Sequence, residues 1–406
     1  MGQRKAVTKM KALAYRGADR AGRTRILDEL VDLTGWHRDY ARAALRDALV
    51  LKAVVPRKPR ARVYGDDLLP ALVRCWTLLR APAGKILAPF MPVLVPLLRA
   101  EDEIDVDDAQ AGLLAGISAA TIDRMLAGER QRMTLRGRTH TKPGSLLKHQ
   151  IPIRTFADWD DATPGFVEID LVAHDGGVAS GEYCYTLTMT DVATGWTVNR
   201  SVPNRARRWV IEAIDHAAGM FPFPIVGIDS DNGSEFINHH FLHYCETRKI
   251  TFTRGRAGKK NDGCYVEQKN WARVRELVGY YRYDTEAELD LLNQIWALDD
   301  AFANYFLPSL KLASKHRDGA KVVKRYHQAA TPHQRALAHP ATRKRPVITM
   351  NARFKKLRLG ALQREILHHT GRLEALAQAK GRAARQRRTA TGCAHQPEAP
   401  ALAAVG

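Results

Sequence analysis

The chain has 406 residues, 45% of them apolar, and 63 Lys/Arg against 43 Asp/Glu give a net charge of +20. That length suggests two to four units at ~100–200 residues per domain, with apolar content ample for packed cores. Its longest apolar stretch, "ILAPFMPVLVPLL" from Ile86 to Leu98, is 13 residues with three prolines, short of the ~20 that cross a bilayer.

The N-terminal "MGQRKAVTKMKALAYRG" lacks the apolar region of an export signal, so neither secretion nor anchoring is expected and a cytoplasmic location is. Cys75, Cys184, Cys245, Cys264 and Cys393 are too scattered for a zinc site and read as reduced thiols. The charge is segregated: residues 1–62 carry +10 and residues 341–390 carry +12, leaving the middle near neutral. Basic flanks around a neutral centre suit a protein that grips a polyanion, because Lys and Arg displace counterions from nucleic acid.

In "RTRILDELVDLTGWHRDYARAALRDAL", Ile26, Leu27, Leu30, Val31 and Leu33 recur at helical spacing. Thr34-Gly35 breaks the pattern, and Tyr40, Ala41, Ala44 and Leu45 restart it. The spacing predicts helix, turn, helix within a first domain, 1–62, with Arg38, Arg42 and Arg46 directed outward at i, i+4 intervals. That suits DNA reading; an ordinary helical hairpin shares the pattern. A second helical domain, 63–130, ends in "AGLLAGISAATIDRMLAG", where Ser118 is the expected N-cap of a further helix. It is either a second DNA reader or a packing unit. The basic stretch 131–158 is expected to be a linker that tracks a phosphate backbone or serves as a hinge.

From residue 166 the pattern changes. "FVEIDLVAH", "EYCYTLTMTDVATGW" and "WTVNRSV" predict three antiparallel strands, with turns at Gly176-Gly177 and Thr194-Gly195. A helix near 205–219, the strand "PIVGIDS", a helix near 236–248, the strand "ITFT", a Gly/Lys loop and a long helix from about 264 follow. Strands in a meander, then alternating with helices, predict an α/β layer with a mixed sheet. Residues 286–313 read as helix, and 336–406 as a basic helical or disordered tail.

Two strand aspartates, Asp170 and Asp231, sit among apolar neighbours, and Glu267 opens the long helix. A buried carboxylate is costly unless paired or bound to a cation. Converging carboxylates suit hard divalent ions such as Mg²⁺ or Mn²⁺, and a pair of ions would serve phosphodiester chemistry. Asp229 faces the same side as Asp231 but lies deeper in the strand, as a buried hydrogen-bonded group or a ligand. Glu235 reads as a helix-start residue, and Glu168 shares a face with Asp170. In the loop before Glu267, Lys259 and Lys260 with Arg254 and Arg256 either touch phosphates or are solvated. On the helix itself Lys269, Asn270 and Arg273 are candidate DNA contacts, whereas Trp271 is expected to pack in the core. His174 and Asp175 read as turn residues. No Ser/His/Asp or Cys/His arrangement points to covalent catalysis.

With 35 residues between Asp231 and Glu267, the three acids resemble the D,D(35)E signature of bacterial insertion-sequence transposases with a retroviral-type integrase core. "GFVEIDLV", "DSDNGSEF" and "KKNDGCYVEQKNW" carry the resemblance, which spans roughly 150–330 and includes "RDGAKVVKRYHQAATPHQR". It implies an RNase H-like mixed-sheet catalytic core over 159–335, flanked by N-terminal helix-turn-helix domains and the basic C-terminal region. It also implies Asp170, Asp231 and Glu267 as catalytic ligands of two Mg²⁺ or Mn²⁺ ions, and strand transfer into target DNA without a covalent protein intermediate. Its expected partners are element-end and target DNA and further copies of the chain. The family's zinc module and C-terminal β-barrel have no counterpart here. A hydrolytic nuclease of the same fold and a DNA-binding regulator derived from a transposase stand as alternatives.

Overall fold

A computed structural model describes residues 2–50, 63–132, 163–230, 235–236, 238–254, 264–319 and 321–393. The chain forms two compact units, Met1–Val63 and Tyr64–Gly406.

The first unit contains α1 (Gly2–Gly17), α2 (Arg20–Thr34) and α3 (Arg38–Asp47). Asp19 caps α2 by accepting from the Gly22 N–H at 2.8 Å. Gly35, at φ 66°, ends that helix, a conformation that costs glycine little because it has no Cβ. Ala12, Leu27, Leu30, Ala41 and Leu45 form the core, so the predicted helix, turn and helix are present. Two expected apolar positions are on the outside, with Leu33 67% and Tyr40 59% exposed. The helical period that turns residues 27, 30 and 34 inward turns residue 33 away.

The second unit opens with α4 (Leu69–Leu78), α5 (Gly84–Leu87), α6 (Met91–Ala100), α7 (Asp108–Ala115), α8 (Ala119–Met125) and α9 (Ala127–Gln131). Ser118 caps α8 as expected, accepting from the Thr121 N–H at 3.3 Å. Leu72, Trp76, Leu94 and Leu114 belong to the same apolar cluster as Ile169, Leu187 and Phe302. The expected boundary near 130 therefore separates stretches of chain but not their cores.

The sheet comprises β1 (Phe166–Ala173), β2 (Tyr185–Asp191), β3 (Thr197–Val202), β4 (Gly227–Ser230) and β5 (Thr251–Arg254) in the order β3-β2-β1-β4-β5. β1, β2 and β3 pair antiparallel, and β4 and β5 run parallel to β1. This is the expected RNase H-like mixed sheet. Helices α10 (Arg207–Met220) and α11 (His239–Thr247) connect its later strands. Then α12 (Cys264–Lys269), a π-helical segment (Asn270–Arg275) and α13 (Glu276–Val278) run on as one helix.

Beyond it lie α14 (Glu286–Phe306), β6 (Leu312–Asp318), β7 (Lys321–Tyr326), α15 (Pro332–Ala338), α16 (Lys344–Lys356) and α17 (Leu359–Cys393). The helix expected to reach 313 stops at Phe306, because Pro308 disfavours helical backbone at Leu307, whose φ and ψ are −94° and 102°. An unforeseen hairpin, β6–β7, follows. The C-terminal region is helical through Cys393, and its first part is packed rather than loose. Leu373 and Ala377 sit on Leu291, Leu292, Ile295 and Trp296 of α14. Lys380 Nζ lies 2.8 Å from Glu288 Oε2 and 2.6 Å from Asp284 Oδ1. No helix among the described residues is long and apolar enough to cross a membrane.

Candidate active site

Alternation along β1 sets Glu168 and Asp170 on one face. Glu168, 3% exposed, accepts the Val266 N–H at 3.0 Å. Asp170 is half-buried; its Oδ1 accepts the Leu171 N–H at 2.8 Å and its Oδ2 accepts from Asn270 Nδ2 at 2.6 Å. Val266 and Asn270 are one helical turn apart and flank Glu267, which is exposed, so these bonds dock α12 on β1. Asn270 Oδ1 is buried without a hydrogen-bond partner among the described residues.

Strand β4 runs alongside, with Glu168 in register with Asp229 and Ile169 with Ser230. Asp229 is 2% exposed and accepts from Thr253 Oγ1 at 2.5 Å, which fits a buried hydrogen-bonded group. Asp231 follows Ser230 directly in the sequence but lies outside the described residues, as do Lys259, Lys260 and Arg256. Among the described residues no three His, Cys, Asp or Glu side chains group as a metal site. Arg254, read as a loop residue, is buried at the end of β5 with 6% exposure.

Beyond Glu267 the helix departs from expectation. Arg273 is 3% exposed, its Nε 2.7 Å from Asp299 Oδ2 and its Nη2 2.9 Å from Asp300 Oδ1. Arg80 also pairs with Asp299, and Asp300 accepts the Asn199 N–H at 3.1 Å. Burial opposes the Arg273 charge, yet Asp299 and Asp300 raise its pKa. Burial likewise opposes ionisation of Asp299, but Arg273 and Arg80 hold its carboxyl below the usual range. Asp300 is pushed by burial up to about 8 despite Arg273. Arg273 is therefore an interior anchor rather than the expected DNA contact, because its donors are spent on two buried acids.

Lys269 is half-buried, and burial, then Arg273 and Arg335, pull its pKa down to about 7. Trp271, expected in the core, is 49% exposed; its Nε1 donates to Glu276 Oε1 at 3.1 Å. The π-helical turn between Asn270 and Arg275 shifts the phase on which that expectation relied. Arg275 Nη2 ties the helix to the end of β1 through the Ala173 carbonyl at 2.7 Å.

Other expectations resolve locally. His174 is fully buried rather than a turn residue. Its Nε2 lies 2.7 Å from Thr186 Oγ1, and burial, with Arg275 second, pulls its pKa down to about 3. Asp175 bridges to Arg282 through its backbone. Glu235 precedes α11, whose N-cap is Asn238, accepting from the Phe241 N–H at 3.0 Å. In the first unit Arg38 pairs with Asp28, Arg42 Nη1 lies 2.7 Å from Asp39 Oδ1, and Arg46 is exposed. Glu168 as a helix anchor escaped the sequence reading, which noted only that it shares a face with Asp170; its place two residues before Asp170 was the available signal.

Residues 160–260 match the Integrase core domain family. A relative from Sinorhizobium fredii (strain NBRC 101917 / NGR234), the uncharacterized protein y4rM, is 40% identical over 324 residues, which is 78% of this chain and 90% of that protein. Among solved structures, the catalytic core domain of BIV integrase is 15% identical, covering 42% of this chain and 91% of that one at a TM-score of 0.29. The HTLV-2 integrase catalytic core domain in complex with magnesium is also 15% identical, covering 36% and 90% at a TM-score of 0.28. The chain belongs to the family of the rhizobial protein, and its residues 160–260 match the integrase core domain.

Proposed function

We propose that the chain is a DDE transposase that binds the ends of its element and catalyses divalent-metal-dependent cleavage and strand transfer. The observation that carries this reading is the docking of α12 on β1, with Val266 held by Glu168 and Asn270 by Asp170 on either side of Glu267. The donor set suits Mg²⁺ or Mn²⁺, since it offers carboxylate oxygens and neither thiolate nor imidazole. Asn270 Oδ1, without a hydrogen-bond partner among the described residues, adds an oxygen on the side chain bound to Asp170.

Asp170, Asp231 and Glu267 would hold the ions, which supply Lewis-acid stabilisation of charge on the phosphodiester. Glu168 and Asn270 keep the helix acid against the strand, so that little reorganisation is left for the reaction itself. No side chain becomes covalently attached to DNA, since the attacking oxygen comes from water or a 3′ hydroxyl. The first unit, with Arg46 and the cationic face of α3, reads element-end DNA, and several copies act together on paired ends.

Purified chain, with Asp170→Asn, Asp231→Asn and Glu267→Gln variants, is incubated with Mn²⁺ and a duplex carrying the ends that flank its gene. Nicked and joined products from the unsubstituted chain alone are expected. Nicking without joining would replace the transposase by a nuclease, and unchanged products from the three variants would end the reading.

A further inference from the structure

The β6–β7 hairpin stands apart from the five-stranded sheet as a sheet of its own. Its segment 312–327, "LASKHRDGAKVVKRYH", has five Lys/Arg against one Asp, with two histidines. Every residue of β7 is exposed, including Val322 at 36%, Val323 at 42% and Tyr326 at 46%. No ion pair engages Lys321, Lys324 or Arg325 among the described residues. An isolated two-stranded ribbon is marginal in water.

The root of the hairpin, by contrast, is tied down. The His327 N–H donates to the Lys311 carbonyl at 2.9 Å, and Ser309 and Ala330 exchange bonds at 3.0 and 3.2 Å. Lys311 Nζ reaches the Ala193 carbonyl at 2.9 Å, and Arg335 Nη1 reaches Ser309 Oγ at 3.1 Å and the Thr194 carbonyl at 3.3 Å. Ala193 and Thr194 form the β2–β3 turn, just past Asp191, which lies three residues along β2 from Thr188, the partner of Asp170. At ~3.3 Å per residue that sets Asp191 about 10 Å along the strand from the residue paired with Asp170. The ribbon itself is about 20 Å long.

We propose that the β6–β7 hairpin is a DNA-contacting element, a rooted basic ribbon whose Lys321, Lys324 and Arg325 take phosphates of the duplex held at the catalytic core. Charge complementarity selects this partner: exposed cations gathered along one strand are neutralised by a polyanion. The dimensions agree, since a major groove ~12 Å wide admits a two-stranded β-ribbon. The proposal rests on the DNA-acting reading above, and it adds a contact surface within the second unit, separate from the helices of the first.

The test is fluorescence anisotropy of the full chain on a labelled duplex across a KCl series, comparing it with a variant carrying Lys321→Gln, Lys324→Gln and Arg325→Gln together. Loss of three phosphate contacts is expected to lower the slope of log K against log salt by about 2–3, with duplex affinity at least about tenfold weaker at low salt. The melting temperature is expected to hold, because the three side chains are exposed. A variant that keeps the slope in a chain that still cleaves DNA overturns the hairpin proposal alone. An effect confined to single-stranded DNA or to an acidic peptide also overturns it. A lowered slope in a chain whose products are insensitive to Asp170→Asn supports the hairpin while removing the catalytic reading.

Discussion

Arg273 offers the sharpest discrimination between sequence expectation and structure. Replacing it by alanine strips Asp299 and Asp300 of their shared partner at 2.7 and 2.9 Å, leaving only Arg80 on Asp299. Breaking a buried ion pair from one side costs about 3–5 kcal/mol, because an uncompensated charge stays inside. Asp300 limits the loss by protonating, since burial already holds its pKa at about 8. An unfolding entropy of about 2.1 cal/mol/K per residue gives about 0.7 kcal/mol/K for the unit from Tyr64 onward, hence a fall in Tm of about 4–7 °C. Differential scanning calorimetry of Arg273→Ala reads this directly, and anisotropy on duplex DNA supplies the counter-measurement. A surface phosphate contact would behave oppositely, with Tm unchanged and the salt slope reduced by about 0.9. That second pattern would refute the interior assignment.

Glu168→Gln keeps the shape of the Val266 acceptor but exchanges a charge-assisted bond for a neutral one, a loss of about 1 kcal/mol. Cleavage is expected to slow by about 5–10-fold with Kd for DNA unchanged, and an unaltered rate would argue against the anchoring role. His174, with its pKa drawn from 6.5 to about 3, contributes stability that is complete above pH 6.5 and is lost as pH falls toward 3, because the unfolded chain takes up the proton first. Urea midpoints of the unsubstituted chain should drop by about 2–3 kcal/mol equivalents by about pH 4.5, and His174→Phe should flatten that limb; parallel limbs would count against it. Trp271→Ala is expected to cost less than about 1 kcal/mol in urea unfolding, whereas a core tryptophan would lose about 3–5 kcal/mol.

Local order along the chain was readable wherever a short-range rule dominates. Alternation gave the five sheet strands, Thr34-Gly35 and Ser118 marked helix ends through their capping chemistry, and the candidate acids stood out because Asp170 and Asp231 fall on expected strands and Glu267 opens a helix with 35 residues between it and Asp231. The hairpin after Phe306 was missed because its strands face water and lack the apolar alternation that betrays a half-buried strand. The packed start of the C-terminal helix was missed because its buried positions, among them Leu359, Ile366 and Leu373, are set within strongly basic sequence.

What the amino-acid order determined by itself was the type of most elements and the positions of the candidate acids, since composition, period and cap residues act within a turn or two. Tertiary structure alone decided their company. It set Val266 and Asn270 against Glu168 and Asp170, turned Trp271 out and Arg273 in, and fused the second helical stretch with the sheet into one core. Those outcomes depend on pairings beyond any local period, 26 residues apart for Arg273 and Asp299, 100 for Asp170 and Asn270 and 219 for Arg80 and Asp299. Burial then settles whether a charge meets water or a partner, and no short-range periodicity carries that information.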